Sequence, residues 1–342
     1  MVARPTISDL AKAAGVSVAT VDRVLNRRLP VRGDTAERVV AAAEAIGYHA
    51  TSLLKRRLQE IPNRRFGFLL QKRQDSFYQD FAQTLIKATS AAHNINGKAM
   101  VDFSEELVPA TIVLRLREMA QRCDAIAVVA VDHPLINDAV EDISAKGVPV
   151  FSLLSDITAP SRQAYFAADT RKAGRTAGWA MSRLIHTPGQ VGVLVGSHRY
   201  LSQELAEFSF RSFMREHAPH LPLLESVIVL DDDRIAHEAV TNMLASNPGL
   251  VGIYASGGGR DGVIRALREE GAGRKIVTIC NELTASTRSA LLDGLVDVVL
   301  QTPIQQISAA LIKHMADACE SAPRVPGGAF VFPVEIHLSE TV

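Results

Sequence analysis

The chain is expected to be an α/β protein in two parts: an N-terminal three-helix head containing a helix-turn-helix, and a body of two doubly wound parallel-sheet lobes. Three observations carry this. Pro5–Asn26 (PTISDLAKAAGVSVATVDRVLN) holds two short helical patterns separated by Gly15. Past Arg65, short apolar runs such as FGFLL (66–70) and AIAVVAV (125–131) alternate with amphipathic helical stretches, the mark of a parallel sheet covered on both faces. And 342 residues are too many for one ordinary domain but suit two or three.

In the head, Thr6 or Ser8 can cap the first helix, whose apolar face is Ile7, Leu10, Ala11 and Ala14. Gly15 supplies the conformational freedom that ends it. Ser17 stands where a second cap belongs, and Val18, Val21, Val24 and Leu25 repeat at helical spacing. The outward positions Ala19, Thr20, Arg23, Arg27 and Arg28 are small or basic. A thin, basic, serine-capped helix fits a major groove and reaches base edges. The same spacing also suits an ordinary helical hairpin in a core. After a loop at Pro30–Asp34, Thr35–Ile46 is an alanine-rich helix with Val39, Ala42, Ala43 and Ile46 facing inward, Gly47 as its stop and Tyr48 closing the unit.

The formal net charge of zero hides an asymmetry. Through Arg65 there are 12 Lys or Arg against 6 Asp or Glu, while the remainder holds 25 against 31. A basic head on an acidic body points to a polyanion as the head's partner. Cys123, Cys280 and Cys319 are widely separated and lie in or beside apolar segments, so buried thiols are expected and a disulfide framework or zinc site is not. No metal spacing, Ser/His/Asp triad or complete phosphate-loop motif stands out, so neither catalysis nor a cofactor is expected. No apolar h-region opens the sequence and no run of about 20 apolar residues spans a bilayer. The expectation is a cytoplasmic protein with no membrane partner.

In the body, strands are expected at 66–70, 98–101, 125–131, 148–153, 191–195, 226–230, 250–254, 275–280, 296–300, near Phe330 and at 334–338, with helices between them. The expected division is a head at 1–49, a linker at 50–63 and a body at 64–342. Within the body, lobe 1 takes about 64–166 and 297–323, and lobe 2 about 167–296 and 324–342. Such sheets bind ligands at the carboxyl ends of their strands, and two lobes put a ligand in the cleft between them.

Residue identity adds a resemblance. Asp9, Ala11, Ala14, Gly15, Val16, Ser17, Thr20, Val21, Arg23, Val24, Leu25 and Asn26 match the usual text of the lactose-repressor and purine-repressor family, close to DVAxxAGVSxxTVSRVLN. The resemblance continues to the C-terminus, weakening in places. It implies double-stranded operator DNA as partner, with Val18, Ala19 and Arg23 at base edges, Ser17 and Thr20 on phosphate, and Thr6 and Asn26 beside them. It implies a hinge at Thr51–Leu58 (TSLLKRRL) that enters the minor groove through Leu53, Leu54, Arg57 and Leu58. Here Ala50 stands where the family usually has Pro, Arg57 where many members carry the wedging Leu, and Asp22 where the family has Ser. A carboxylate near phosphates weakens binding unless it is paired. Asp22 either pairs with neighbouring Arg, accepts from a cytosine amino group, or faces away.

The resemblance also implies a body like a type I periplasmic sugar-binding protein, working as a homodimer. Asp75, Ser76, Phe77 and Tyr78 stand near the family's Asn-Pro-Phe-Phe, where an aromatic ring packs on a sugar face. Asp132 and His133 follow the third strand, Asp169 matches an Asp-Asn…Ala-Gly signature, and Gln301 a sugar-contacting amide. Ser256–Gly259, Asn281 and Glu282 sit in strand-end loops, where polar side chains pair with hydroxyls. Ala206 replaces a frequent Arg, so Arg199, Arg260 or His198 are candidate donors. The implied function is a repressor of carbohydrate or polyol catabolism genes. Its effector is a sugar or polyol, phosphorylated or not. The competing classes are a solute-binding protein and a nucleotide-dependent enzyme, the latter prompted by SGGGRDG between a strand and a helix.

Overall fold

The computed structural model describes residues 5–26, 31–51, 54, 61–271, 273–320 and 327–342. The head opens with α1 (Ile7–Ala14). Thr6 rather than Ser8 caps it: the Thr6 hydroxyl accepts from Asp9 N at 3.3 Å while the Asp9 carboxylate accepts from Thr6 N at 2.9 Å. This reciprocal pair satisfies two donors that the first turn leaves free. Gly15, at φ 63°, ends the helix in the left-handed region. In α2 (Val18–Asn26), Ser17 Oγ accepts from Thr20 N at 3.1 Å. α3 (Gly33–Ala45) packs Val39, Val40 and Ala43 on Leu10, Ala11, Ala14 and Val21.

Leu54 corrects one expectation. It is 1 % exposed and belongs to this head core, with Tyr48, rather than to a groove-facing hinge. An apolar side chain with a core to join gains more there than in a solvated linker. Leu53, Arg57 and Leu58, the other hinge candidates, lie outside the described residues, as do Arg27 and Arg28.

The body contains two six-stranded sheets. The first is built from β1 (Asn63–Gln71), β2 (Asn96–Ser104), β3 (Ala125–Val128), β4 (Val150–Leu153), β5 (Ala164–Ala168) and, late in the chain, β11 (Gly328–Phe332). Its order is β2-β1-β3-β4-β5-β11, parallel throughout. Helices α4 (Ser76–Ala91), α5 (Pro109–Ala120), α6 (Pro134–Ala145) and α12 (Ile304–Glu320) accompany it. The second sheet runs β7 (Leu223–Ile228), β6 (Gln190–Val195), β8 (Leu250–Ala255), β9 (Val277–Asn281), β10 (Val298–Gln301) and β12 (Glu335–His337). It is parallel except for β12. Its helices are α7 (Thr170–Leu184), α8 (Leu201–His217), α9 (Asp233–Ser246), α10 (Arg260–Glu270) and α11 (Ala285–Leu292).

The strands are buried on both faces: β3 and β4 have every residue buried, and β1 its last six. That is why they read as continuous apolar runs. Cys123 and Cys280 are buried free thiols and Cys319 is a half-buried one. Burial pushes the Cys280 thiol up to about 12 and the other two to about 11. Among the described residues no helix is long and apolar enough to cross a membrane.

The lobe boundaries differ from expectation in the last third. β10, assigned to lobe 1, pairs with β9 in the second sheet, and β11, assigned to lobe 2, pairs with β5 in the first. The chain therefore crosses between lobes at 168–170, 301–304 and 332–335. β5 (AYFAA) carries no alternation and only five residues, which hides it in a sequence reading. Leu54→Ala is expected to cost the head about 2–5 kcal/mol, seen as faster amide exchange in α1 and α3. Weakened DNA binding with unchanged exchange would return Leu54 to the groove.

Candidate functional site

Both sheets share the order 2-1-3-4-5, so each has a switch point beside its first strand, where loops leave in opposite directions and open a crevice. The loops after β1 and β3 in lobe 1 face those after β6 and β8 in lobe 2 across a cavity of about 130 Å³. This is well below the ~300–1,000 Å³ of drug-sized pockets and near the ~150 Å³ that accepts a benzene-sized guest. It suits one small ring or a short polyol. Phe77, Tyr78 and Tyr200 supply aromatic wall; Asp75, Gln203, Asp231, Ser256, Arg260, Asn281, Glu282 and Thr302 supply polar groups.

Contacts across the cleft hold the lobes together. Asp75 caps α4, accepting from Phe77 N at 2.9 Å, and the same oxygen accepts from Arg260 Nη2 at 2.7 Å. Arg260 opens α10 with 6 % side-chain exposure. Burial works against its charge, but Asp75, Glu282 and Asp261 outweigh burial and raise its pKa. Nearby, Arg199 Nη1 donates to Leu107 O at 3.0 Å, and Lys72 Nζ to Leu230 O and Asp231 O at 2.8 and 2.7 Å. Removing one partner of a buried ion pair costs about 3–5 kcal/mol, so the Asp75–Arg260 pair is the strongest of these bridges.

Strain collects at the same place. Among the described residues, Lys72, Leu154, Leu230, Asp231 and Glu282 are the non-glycine residues with positive φ, between 40° and 70°. Each lies just past a strand's carboxyl end. Such conformations cost of order 1–3 kcal/mol each and persist where surrounding structure imposes them.

The glycine-rich loop 256–259 has a local explanation. A Cβ at Gly258 would come within 2.7 Å of Asp231 Cβ, and one at Gly257 within 2.6 Å of Gly196 N. Gly258 N donates to Asp231 Oδ1 at 2.6 Å. A carboxylate thus occupies the amide a phosphate would take, which removes the support for a nucleotide loop.

Of the expected effector residues, Asp75, Phe77, Tyr78, Ser256 and Glu282 line the cavity; the other five serve the frame. Asp132 Oδ1 accepts from Asn137 Nδ2, Thr158 N and Thr158 Oγ1 at 2.9–3.0 Å, pinning a loop. His133 caps α6 through Nδ1, and Asp169 caps α7, accepting from Lys172 N at 3.0 Å. Arg199 bridges the lobes beside the cavity rather than lining it. Gln301 ends β10 between the lining residues Leu300 and Thr302 and is not itself among the residues that line the cavity. His198 is held by Glu207 at 2.5 Å.

Tyr200, Gln203, Asp231 and Thr302 were not anticipated. Gln203 Nε2 reaches both Asp231 oxygens at 3.3 Å, and Thr302 donates to Glu282 from Oγ1 at 2.6 Å and N at 3.1 Å. Polar residues one to three positions past an expected strand end are the signal that could have found Asp231 and Thr302. Tyr200 and Gln203 sit at a helix start that otherwise looks like core. Burial raises the Tyr78 and Tyr200 phenols well above their ordinary value, so both stay neutral hydrogen-bonding groups.

In the head, Val18, Ala19, Arg23 and Asn26 are exposed on one side of α2. Val18 is 50 % exposed, unusual for a valine in a small core. Asn26 Nδ2 donates to Asp22 Oδ1 at 2.6 Å. Ser17 Oγ and Thr20 Oγ1 lie 2.8 Å apart, both at the helix start. The Thr6 hydroxyl is engaged with Asp9.

Comparison with known proteins decides the family. Residues 66–321 match the periplasmic binding protein domain, and residues 6–51 match bacterial regulatory proteins of the lacI family. The chain is a lacI-family member with a periplasmic-binding-protein body. An HTH-type transcriptional regulator in an aml 5′ region of Streptomyces limosus is 26 % identical over 218 residues, covering 62 % of this chain and 58 % of that protein. This lacI-family chain thus matches little more than half the length of that relative. The ribose operon repressor of Bacillus subtilis is 40 % identical over 78 residues, covering 23 % of this chain and 24 % of that one. In fold, the body resembles a Burkholderia graminis solute-binding protein in complex with D-arabinose, with TM-score 0.73, 18 % identity and coverage of 81 % and 96 %. An Agrobacterium vitis solute-binding protein bound with α-D-tagatopyranose has TM-score 0.74, 18 % identity and coverage of 81 % and 95 %.

Glu282 gives the site a pH signature. Burial, opposed by Thr302 and Arg260, pushes its carboxyl from 4.5 to about 7. Between those values the folded protein holds a proton that the unfolded chain has lost. Its contribution is therefore favourable at the acid end and disappears as pH rises towards 7. Thermal midpoints are expected to fall across pH 5, 6 and 7 more steeply than those of Glu282→Gln. Equal slopes would place the titration on another group.

Proposed function

We propose that this protein is a sequence-specific DNA-binding transcriptional repressor of genes for sugar or polyol breakdown, whose operator affinity is set by a small polyhydroxylated effector in the interlobe cavity. One observation carries the proposal: a serine-capped helix with Val18, Ala19 and Arg23 exposed shares a chain with a cleft bridged by Asp75 and Arg260. The first needs DNA, and the second needs a ligand that favours one arrangement of lobes. The place of action proposed is the cytoplasm.

The head acts through α2. Val18, Ala19 and Arg23 meet base edges, with Arg23 donating to a guanine, and Ser17 and Thr20 hold phosphate. Asn26 also faces outward but spends its amide on Asp22, neutralising part of the repulsion that carboxylate would offer the backbone. One head reads a half-site, so two chains pair as a homodimer on a near-palindrome. The head joins lobe 1 at β1, while the cavity is shared by both lobes. Rotation of the lobes in a dimer changes the spacing of the two heads. Effector binding changes operator affinity by about 1–3 kcal/mol, the usual size of such coupling. The direction proposed is release of DNA by effector.

Arg23→Ala should weaken operator binding by roughly 1–3 kcal/mol and relax preference at one base pair, measured by gel shift on operator and scrambled DNA. Equal loss on both would reduce Arg23 to a backbone contact. A sugar that raises the thermal midpoint should also change operator titrations. If it binds and leaves them unchanged, the coupling is wrong, and binding to a half-site as a monomer would remove the dimer.

A further inference from the structure

The charged groups of the interlobe cavity are unbalanced in sign. Three carboxylates, Asp75, Asp231 and Glu282, line it with a single guanidinium, Arg260, which Asp75 already engages. A neighbouring hollow of about 350 Å³ shares Asp75, Asp231 and Arg260 with it and adds Glu105, Asp232, Asp233 and Asp261. Lys72 is the cation there besides Arg260, and its ammonium is spent on the Leu230 and Asp231 carbonyls. At Asp233, burial and then the nearby Asp261 and Asp75 raise the carboxyl above its usual range, against the donor Gly262 N. A cleft with low-dielectric walls concentrates the field of one sign.

Asn281 Nδ2 donates to Ser256 O at 2.9 Å, and its Oδ1 is buried with no partner among the described residues. Glu282 next to it takes two hydrogen bonds from Thr302, leaving lone pairs from the four or so that a carboxylate offers. A neutral sugar hydroxyl brings one donor and two lone pairs, whereas an ammonium brings three donors and none. An ammonium near Glu282 would also favour its ionised form. A phosphate would bring two further negative charges to a cleft already lined mostly by carboxylates.

We propose that the effector is a small polyhydroxylated molecule carrying a protonated amine, an amino sugar or amino polyol, and that phosphorylated and acidic sugars are rejected. This rests on the interlobe cavity being the effector site. The amine sits beside Glu282 and the Asn281 Oδ1, and the hydroxyls and ring meet Arg260 and the aromatic wall.

The test uses the full chain and a calorimetric panel at pH 7. Amino sugars and amino polyols covering the pentose and hexose epimers are each set beside the neutral parent, the N-acetyl form and the phosphate. The expected result is an amine-bearing member that binds at least about tenfold more tightly than its neutral and N-acetyl counterparts, a difference of about 1.4 kcal/mol. No phosphate should bind, and Glu282→Gln should narrow the ratio of amine to neutral affinity. A neutral sugar that binds as tightly as its amine, or a phosphate that binds at all tightly, overturns this inference and leaves the cavity as a sugar site. If no member of any class binds, the effector role of the cavity falls with it.

Discussion

The ion pair between Asp75 and Arg260 is the constraint on which the body's arrangement depends. Each residue is fixed by its own lobe before they meet. Asp75 is the cap of α4 at the end of β1, and Arg260 opens α10 at the end of β8. The pair therefore reports how the two sheets stand to each other. Three chain crossings tie the lobes covalently, and the hydrogen bond from Asp169 N to Phe332 O, at 2.7 Å, ties two of those crossings together. The crossings allow rotation, while the pair selects one position. Around it lie the bridges from Lys72 and Arg199 and the positive-φ residues at the strand ends. The contacts between the lobes thus gather buried charge and backbone strain in one small volume.

The same economy operates in the head. Among the described residues ten buried side chains hold three short helices, so each cap and each buried methyl group counts for more than in the body. Leu54 makes this concrete. The hinge is basic and apolar in sequence, yet its leucine is worth more as the last piece of a small core. The chain that leads from the head towards β1 is thus still packed on the head at Leu54.

Much of this was legible in the sequence. The head was, because a cap at Thr6 or Ser8, a glycine stop and a second serine cap are local signals, and local chemistry then chose Thr6. The alternation of strand and helix was, because fully buried parallel strands leave unbroken apolar runs. Which sheet a strand joins was not: β10 and β11 are equally apolar, and nothing within either names its neighbour. The site was half legible. Strand-end residues such as Asp75 and Glu282 could be placed by topology, and so could the aromatic pair Phe77 and Tyr78. Asp132, His133 and Asp169 occupy the same kind of position yet act as caps and pins, a difference set by one turn of backbone. Asp231 directly follows the expected strand end at 230, the kind of position that marks Glu282, but β7 stops at Ile228 and a left-handed turn at Leu230 and Asp231 brings the carboxylate to the cavity.

The most direct measurement is the separation of fluorescent labels on α5 and α9, one in each lobe, in the wild type, Asp75→Asn, Arg260→Gln and the double variant. If the pair selects the closed position, each single variant shifts the population towards longer distances, and the double variant adds little to either. If the single variants keep the wild-type distance, closure is held elsewhere and the account of the cleft is contradicted.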